Sequence, residues 1–253
     1  MTSPVTNETT RLAVTHYGAY HFHHCPMRTL AIGDIHGCRT ALETLVAFVD
    51  PAPDDRFIFL GDYINRGPDS RGVIDYLLKL AQRHHCVFLR GNHEIMTLEA
   101  RHEESKASSW RLAGGRDCLA SYGFSGEGEW ADFIPAGHWQ FFEQTTRYFE
   151  TDRHIFVHAA LDADMDLAEQ PDWIIFWERF DTIRPHKSGK KIICGHTADR
   201  DGEIDDKPHA TCIDTAANHR GGWLTCLDAE SGRYWQANEK GATRSGQCSN
   251  WNG

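Results

Sequence analysis

Three short strings carry residue types able to hold a metal: Gly33-Asp-Ile-His-Gly37, Gly61-Asp-Tyr-Ile-Asn-Arg-Gly67 and Gly91-Asn-His-Glu94. Each follows an apolar run of strand character, over 29–32, 56–60 and 86–90, so each stands where a strand gives way to a loop. Ligands of open α/β sheets bind at that edge. Two further strand-like runs end in the same manner, at His158 in Phe156-Val-His-Ala159 and at His196 in Cys194-Gly-His-Thr197. Asp34, His36, Asp62, Asn92, His93, His158 and His196 therefore present oxygen and imidazole donors at five strand ends, a set suited to a pair of divalent cations and to metal-assisted hydrolysis.

The elements that must position these residues are legible from periodicity. From 29 to 94 the chain alternates strand runs with helical patterns at Arg39–Val49 (Leu42, Leu45, Val46, Val49) and Ser70–Arg83 (Val73, Ile74, Leu77, Leu78), and a third helix opens at Glu94. Such a βαβαβα series predicts a right-handed, mainly parallel sheet. Residues 95–153 are richer in charge, Gly and Trp, and are expected to form a mostly helical cap over the strand ends. Beyond 153, runs at 154–158, 191–194, 211–214, 222–227 and 233–236 predict a second sheet with antiparallel character, its last two strands joined by a turn at Ala229-Glu-Ser-Gly232. Gly114-Gly115 suggests a tight cap turn beside the cleft, and Trp173, Phe176, Trp177 and Phe180 read as a core cluster rather than a substrate platform.

Composition bounds the function. The chain has 253 residues, 40% hydrophobic and 25% charged, with no linker-like stretch, and is read as a single domain over 1–253 with the cap at 95–153 and an N-terminal extension at 1–27. A formal charge of −10 with dispersed Lys and Arg disfavours nucleic-acid binding. No apolar run approaches the roughly 20 residues that span a bilayer, and the first residues lack the order of a signal peptide; a cytoplasmic protein with no membrane partner is expected. The eight cysteines are scattered without a CxxC pair and read as reduced, mostly buried thiols. His16, His21, His23, His24 and Cys25 lack ligand spacing, and the alternation in Tyr20-His-Phe-His suggests an edge strand. A dinucleotide-binding Rossmann unit is excluded, because the first strand runs into GDIHG and not GxGxxG.

The series GDIHG, GDxxxRG, GNHE, VHA and GHT, in this order over residues 29 to about 237, resembles the calcineurin-like metallophosphoesterases, and among them the bacterial and phage phosphoprotein phosphatases of the PPP type. The resemblance implies an α/β fold of two packed mixed sheets flanked by helices. It implies one metal on Asp34, His36 and Asp62, and a second on Asp62, Asn92, His158 and His196, with Asp62 bridging. The implied reaction is hydrolysis of a phosphate ester by direct attack of a hydroxide shared between the metals. Mixed nitrogen and oxygen ligation favours Mn²⁺, with Fe or Zn²⁺ as further options. Arg66 and Arg179 match the family's phosphate-binding arginines, and His93 its general acid.

One residue departs from the pattern: Asn65 stands where the family carries an aspartate that accepts a hydrogen bond from the acid histidine. A carboxylate raises a neighbour's pKa by about one to three units, which a neutral amide cannot do. Asn65 can accept through its oxygen or donate through its NH₂. The expectation is a slowed phosphomonoesterase acting on phosphoproteins, or an enzyme shifted toward good leaving groups. The alternatives are hydrolysis of a dinucleoside polyphosphate or other small phosphoester, and a phosphate-binding pseudophosphatase. Glu94, where the symmetrical diadenosine tetraphosphatases carry aspartate, tilts toward the phosphoprotein reading, and Asp214 is expected behind His196.

Overall fold

The computed structural model describes residues 27–251, so the histidines of the N-terminal extension lie outside the described residues. The predicted alternation is present as β1 (Thr29–Ile32), α1 (Arg39–Val49), β2 (Arg56–Phe59), α2 (Ser70–Leu80) and β3 (His85–Phe88), with β1–β2 and β2–β3 parallel. Helix α1 buries Leu42, Leu45, Val46 and Val49 on one stripe and stops at Asp50, whose backbone turns left-handed at φ 48°. Helix α2 starts at Asp69, whose carboxylate accepts the Gly72 N–H at 2.8 Å.

The segment expected as a cap is helical through α3 (Asn92–His102), α4 (Glu104–Trp110), a π-turn at Arg111–Gly115, α5 (Arg116–Ser121) and α6 (Ala136–Gln144). Its end is not cap, since β4 (Tyr148–Glu150) pairs antiparallel with β5 (His154–Val157). Then follow α7 (Asp172–Trp177), β6 (Lys191–Cys194), β7 (Asp205–Asp206), β8 (Ala210–Cys212), β9 (Leu224–Asp228), β10 (Arg233–Ala237) and β11 (Thr243–Gln247).

Two mixed sheets result, in the orders β11-β10-β9-β1-β2-β3 and β4-β5-β6-β8-β7. The antiparallel strands β9 and β10 were expected in the second sheet and instead extend the first, because β9 pairs with β1 through Leu30↔Asp228, Ala31↔Leu227 and Ile32↔Cys226. The centre of the second sheet, β5-β6-β8, is parallel. Period-two alternation explains how both faces are buried. Leu30, Ile32, Phe57 and Phe59 face α1 and α2, whereas Ala31, Ile58 and Leu60 meet Phe156, Ile193 and Ile213 between the sheets. Ile155, Val157, Ile192 and Cys194 face outward onto Ile175, Phe176 and Phe180. The cap indoles Trp110, Trp130 and Trp139 join the first of these cores. All seven described cysteines are free, six of them buried, and among the described residues no helix is long and apolar enough to cross a membrane.

Candidate metal centre

β1, β2 and β3 are parallel in one sheet and β5 and β6 in the other, and the loops after β1, β2, β5 and β6 meet the start of α3 beyond β3 at one edge, where His36, Asp62, His158 and His196 come together. Backbone turns there are tight: His36, Asp62, Asn65, Arg66 and His196 all have positive φ, between 45° and 71°. Non-glycine residues in that region are held by their surroundings and concentrate at functional sites. Asp34, His36, Asp62, Asn92, His93 and His158 are all 5% exposed or less.

Asp62 is the hub. Its Oδ2 lies 3.5 Å from His36 Nε2 and 4.0 Å from His93 Nε2, and its Oδ1 lies 3.5 Å from His158 Nε2. Two donor groups share it, His36 with Asp62 and His93, and Asp62 with His158 and His196. Hydrogen bonds at the far sides of the rings fix which nitrogen faces inward bare. His36 Nδ1 donates to the Ile64 carbonyl (3.1 Å), His158 Nδ1 to Leu60 (2.9 Å) and His196 Nε2 to Trp177 (3.3 Å). His36 Nε2, His158 Nε2 and His196 Nδ1 therefore turn lone pairs inward, that of His36 accepting from Arg66 Nη1 at 2.8 Å. One end of the Asn92 amide enters the same space, 3.0 Å from His158 Nε2, 3.3 Å from His196 Nδ1 and 3.2 Å from each Asp62 oxygen; turned NH₂-inward it donates to these acceptors, turned oxygen-inward it adds a ligand for a cation. The imidazole nitrogens and Asp62 oxygens themselves have no hydrogen to offer one another, so a cation seated among them turns converging lone pairs into ligation; the donor set fits divalent metal.

Electrostatics agree with ligation. Burial pushes the Asp62 carboxyl upward, but the surrounding imidazoles, His158 foremost, more than offset it and hold the group well below the ordinary carboxylate range. Burial lowers both His36 and His196 to about 4, leaving them neutral near pH 7. Asp34 sits against the His196 backbone, accepting that N–H at 3.1 and 3.2 Å. Burial, Asp214 and Asp62 raise its pKa well above the usual range. Asp214 lies near enough to Asp34 to help raise its pKa, and its own Oδ1 accepts the Ala216 N–H at 3.1 Å; it makes no hydrogen bond to the His196 ring.

His93 differs from the other three histidines. The Trp110 indole Nε1–H, which can only donate, reaches Asn65 Oδ1 at 3.2 Å, so the Asn65 amide nitrogen is the end that meets His93 Nδ1, at 3.0 Å. Asn65 thus donates, His93 Nδ1 accepts, and the His93 proton lies on Nε2, facing Asp62. Burial also pushes His93 well below the ordinary imidazole range. At neutral pH it offers one N–H and no positive charge. Sequence reasoning placed Trp110 only in the cap; the Gly114-Gly115 pair four and five residues later was the available signal. Gly114 has φ 114°, and a Cβ there would lie 2.6 Å from the Arg66 nitrogen, which instead donates to the Gly114 carbonyl at 3.2 Å.

Arg66 is exposed at the mouth of the site, its Nη1 donating to His36 Nε2 at 2.8 Å. Arg179 is not gathered with it: its guanidinium is 67% exposed and paired with Asp181 at 3.3 Å. The aromatic cluster divides, with Phe176 and Phe180 in the core and Trp173 and Trp177 exposed. Glu94 proves structural. Its carboxylate accepts the N–H groups of Asp62 (2.9 Å), Tyr63 (3.0 Å) and Gly91 (3.0 Å), clamping the Asp62 loop to the start of α3, so its identity reports on loop geometry rather than on substrate.

These observations put a candidate divalent-metal site on a two-sheet sandwich, and the chain belongs to the calcineurin-like phosphoesterase family, whose profile matches residues 27–220. It is similar to a symmetrical bis(5'-nucleosyl)-tetraphosphatase of Janthinobacterium sp. (strain Marseille), 25% identical over 236 residues, 82% of this chain and 78% of that protein. Bordetella and Pseudomonas relatives of the same name align over 45% of their own length or less. The fold is shared with the crystal structure of a candidate diadenosine tetraphosphatase at TM-score 0.60 and 23% identity, covering 91% of this chain and 96% of that one. It is shared as well with a cold-active protein-tyrosine phosphatase of Shewanella sp. at TM-score 0.57 and 14% identity, covering 87% and 80%.

Proposed function

We propose that the chain hydrolyses the phosphoanhydride chain of dinucleoside polyphosphates, splitting a tetraphosphate into two nucleoside diphosphates, with Asp34, His36, Asp62, Asn92, His158 and His196 holding two divalent metals, Mn²⁺ first among them. The observation that carries this reading over the phosphoprotein one is the polarity of the Trp110–Asn65–His93 relay. A departing serine or threonine alkoxide needs a proton, which an imidazolium supplies and a neutral imidazole does not. A nucleoside diphosphate leaves as a stable anion, since phosphate oxygens have their second ionisation near pH 6 (about 6). The likeness to a symmetrical bis(5'-nucleosyl)-tetraphosphatase supports the same substrate class, and Glu94, as a backbone clamp, no longer weighs against it.

Held by Asp34, His36, Asp62, Asn92, His158 and His196, two divalent cations would lower the pKa of a bound water and offset phosphoryl charge. Asp62, held by the His93 backbone N–H at 3.0 Å, fixes the spacing of the two donor groups. Arg66 grips the non-bridging oxygens of the attacked phosphate. His93 Nε2–H donates a hydrogen bond to the phosphoryl group as the bridging P–O bond breaks, and the leaving diphosphate keeps the electron pair.

Incubation with P1,P4-diadenosine tetraphosphate and Mn²⁺, followed by separation of products, tests the proposal. Nucleoside diphosphate as sole nucleotide product, lost on chelation and in Asp62→Asn, is the expected outcome. A monophosphate-plus-triphosphate pair, or no cleavage by protein that releases phosphate from phosphopeptides, refutes it.

A further inference from the structure

Beside the metal centre lies a cavity of about 290 Å³ that the site residues do not explain. Arg66, with Gly67, Pro68 and Cys38, forms the wall it shares with the centre; the rest comes from the loop between β8 and β9, with His219 and Arg220, and from the β10–β11 turn, with Glu239 and Lys240. The loop is built rather than slack. Asp214 Oδ1 accepts the Ala216 N–H at 3.1 Å, His219 N–H reaches the Ala216 carbonyl at 2.8 Å, and Trp223 N–H reaches Thr215 at 2.9 Å. Only glycine serves at 222, where a Cβ would lie 1.7 Å from the Ala216 oxygen. The opposite turn is closed by Asn238 Oδ1, which accepts the N–H groups of Lys240 (3.0 Å) and Ala242 (3.1 Å). Glu239 also lines the cavity, with one carboxylate oxygen accepting the Ala41 N–H of α1 at 2.9 Å.

The charge pattern is informative in a chain of net −10. Most lysines and arginines are paired, as in Arg39–Glu43, Arg101–Glu143 and Lys191–Asp206. Among the described residues, no carboxylate forms an ion pair with Arg66, Arg220 or Lys240, and all three face one cavity. Leaving three cations unpaired on preformed backbone, one of them contiguous with His36 at 2.8 Å, is the arrangement for an anion longer than one phosphate.

We infer that this cavity is a subsite for the phosphates that follow the scissile one, with Arg220 and Lys240 holding the leaving diphosphate while Arg66 holds the attacked phosphoryl group. The inference rests on the proposed function for its substrate and on the cavity for its location. Arg179, exposed and paired with Asp181, takes no part in it.

The test uses full-length protein at fixed free Mn²⁺ with p-nitrophenyl phosphate as reporter substrate, measuring inhibition by ADP and by orthophosphate in the parent and in Arg220→Ala, Lys240→Ala and the double variant. Circular dichroism and thermal melting establish that each variant folds. Each single change is expected to weaken ADP inhibition about 10-fold with orthophosphate inhibition weakened far less, and the double variant is expected to weaken it further. Equal weakening of both inhibitors, or none of either, overturns the subsite. A parent that fails to cleave diadenosine tetraphosphate, yet shows ADP inhibition dependent on Arg220 and Lys240, overturns the substrate reading and leaves the subsite standing.

Discussion

At the scale of single residues, the candidate metal ligands could be picked out because each sits in a fixed string directly after a strand. What the strings did not contain was the direction of a hydrogen bond. Asn65 offers both a donor and an acceptor, and its polarity depends on Trp110, 45 residues away in a helix, whose indole N–H takes the oxygen. The consequence is specific to leaving groups. Asn65→Asp keeps an acceptor for Trp110 and lets His93 carry a proton on each nitrogen, so it is expected to speed hydrolysis of an alkyl phosphate by about 10-fold or more, within the range of general acid catalysis. A phosphoanhydride should respond little. Steady-state kinetics on both substrates checks this, and identical alkyl-ester rates for parent and variant count against it. Trp110→Phe strands the buried Asn65 oxygen without a donor and should cost about 1–3 kcal/mol in unfolding free energy, read by urea denaturation.

At the scale of elements, the β1-α1-β2-α2-β3 series could be read because apolar residues recur with clear periods of two and 3.6. The elements that escaped are short or polar: β4 has three residues, β7 is Asp205–Asp206, and β11 alternates around Ser245 and Gly246 with three of its five residues open to solvent. Missing β11 hid the hairpin that carries Lys240 to the cavity. The π-turn at Arg111–Gly115 is the element that couples cap to site, since its Gly114 carbonyl holds the Arg66 backbone. Alanine at 114 meets both a positive φ and the Arg66 chain. Gly114→Ala should therefore lower stability by about 1–3 kcal/mol and raise KM for phosphate-containing substrates more than it lowers kcat. An unchanged KM would show that the turn does not position Arg66.

At the scale of the whole molecule, both sheets were visible as runs but their membership was not, because a strand's alternation does not say which edge it joins. The return of β9 against β1 decided it. The same architecture buries ionisable groups far from the strand-end site, and His154, at the start of β5, is 5% exposed, its Nδ1 without a hydrogen bond and 3.9 Å from the Glu230 carboxylate. Burial, with Arg153 and Lys191 nearby, lowers its pKa from 6.5 to about 4. Because the folded value is the lower one, unfolding takes up a proton between those limits. The stability from His154 is complete above about pH 6.5 and is lost as pH falls toward 4. His154→Phe should make unfolding free energy less steep in pH over that window by one proton, as measured by denaturation at stepped pH; an unchanged slope would contradict it.

The most direct measurement compares kcat/KM for P1,P4-diadenosine tetraphosphate with kcat/KM for a phosphoserine peptide, on the same Mn²⁺-loaded preparation. A neutral His93 held by Asn65, beside cations placed for a leaving diphosphate, predicts a preference of at least about 100-fold for the tetraphosphate, the lower range of what general acid catalysis contributes to the ester that needs it. A phosphopeptide turned over as efficiently as the tetraphosphate, or more so, would contradict it.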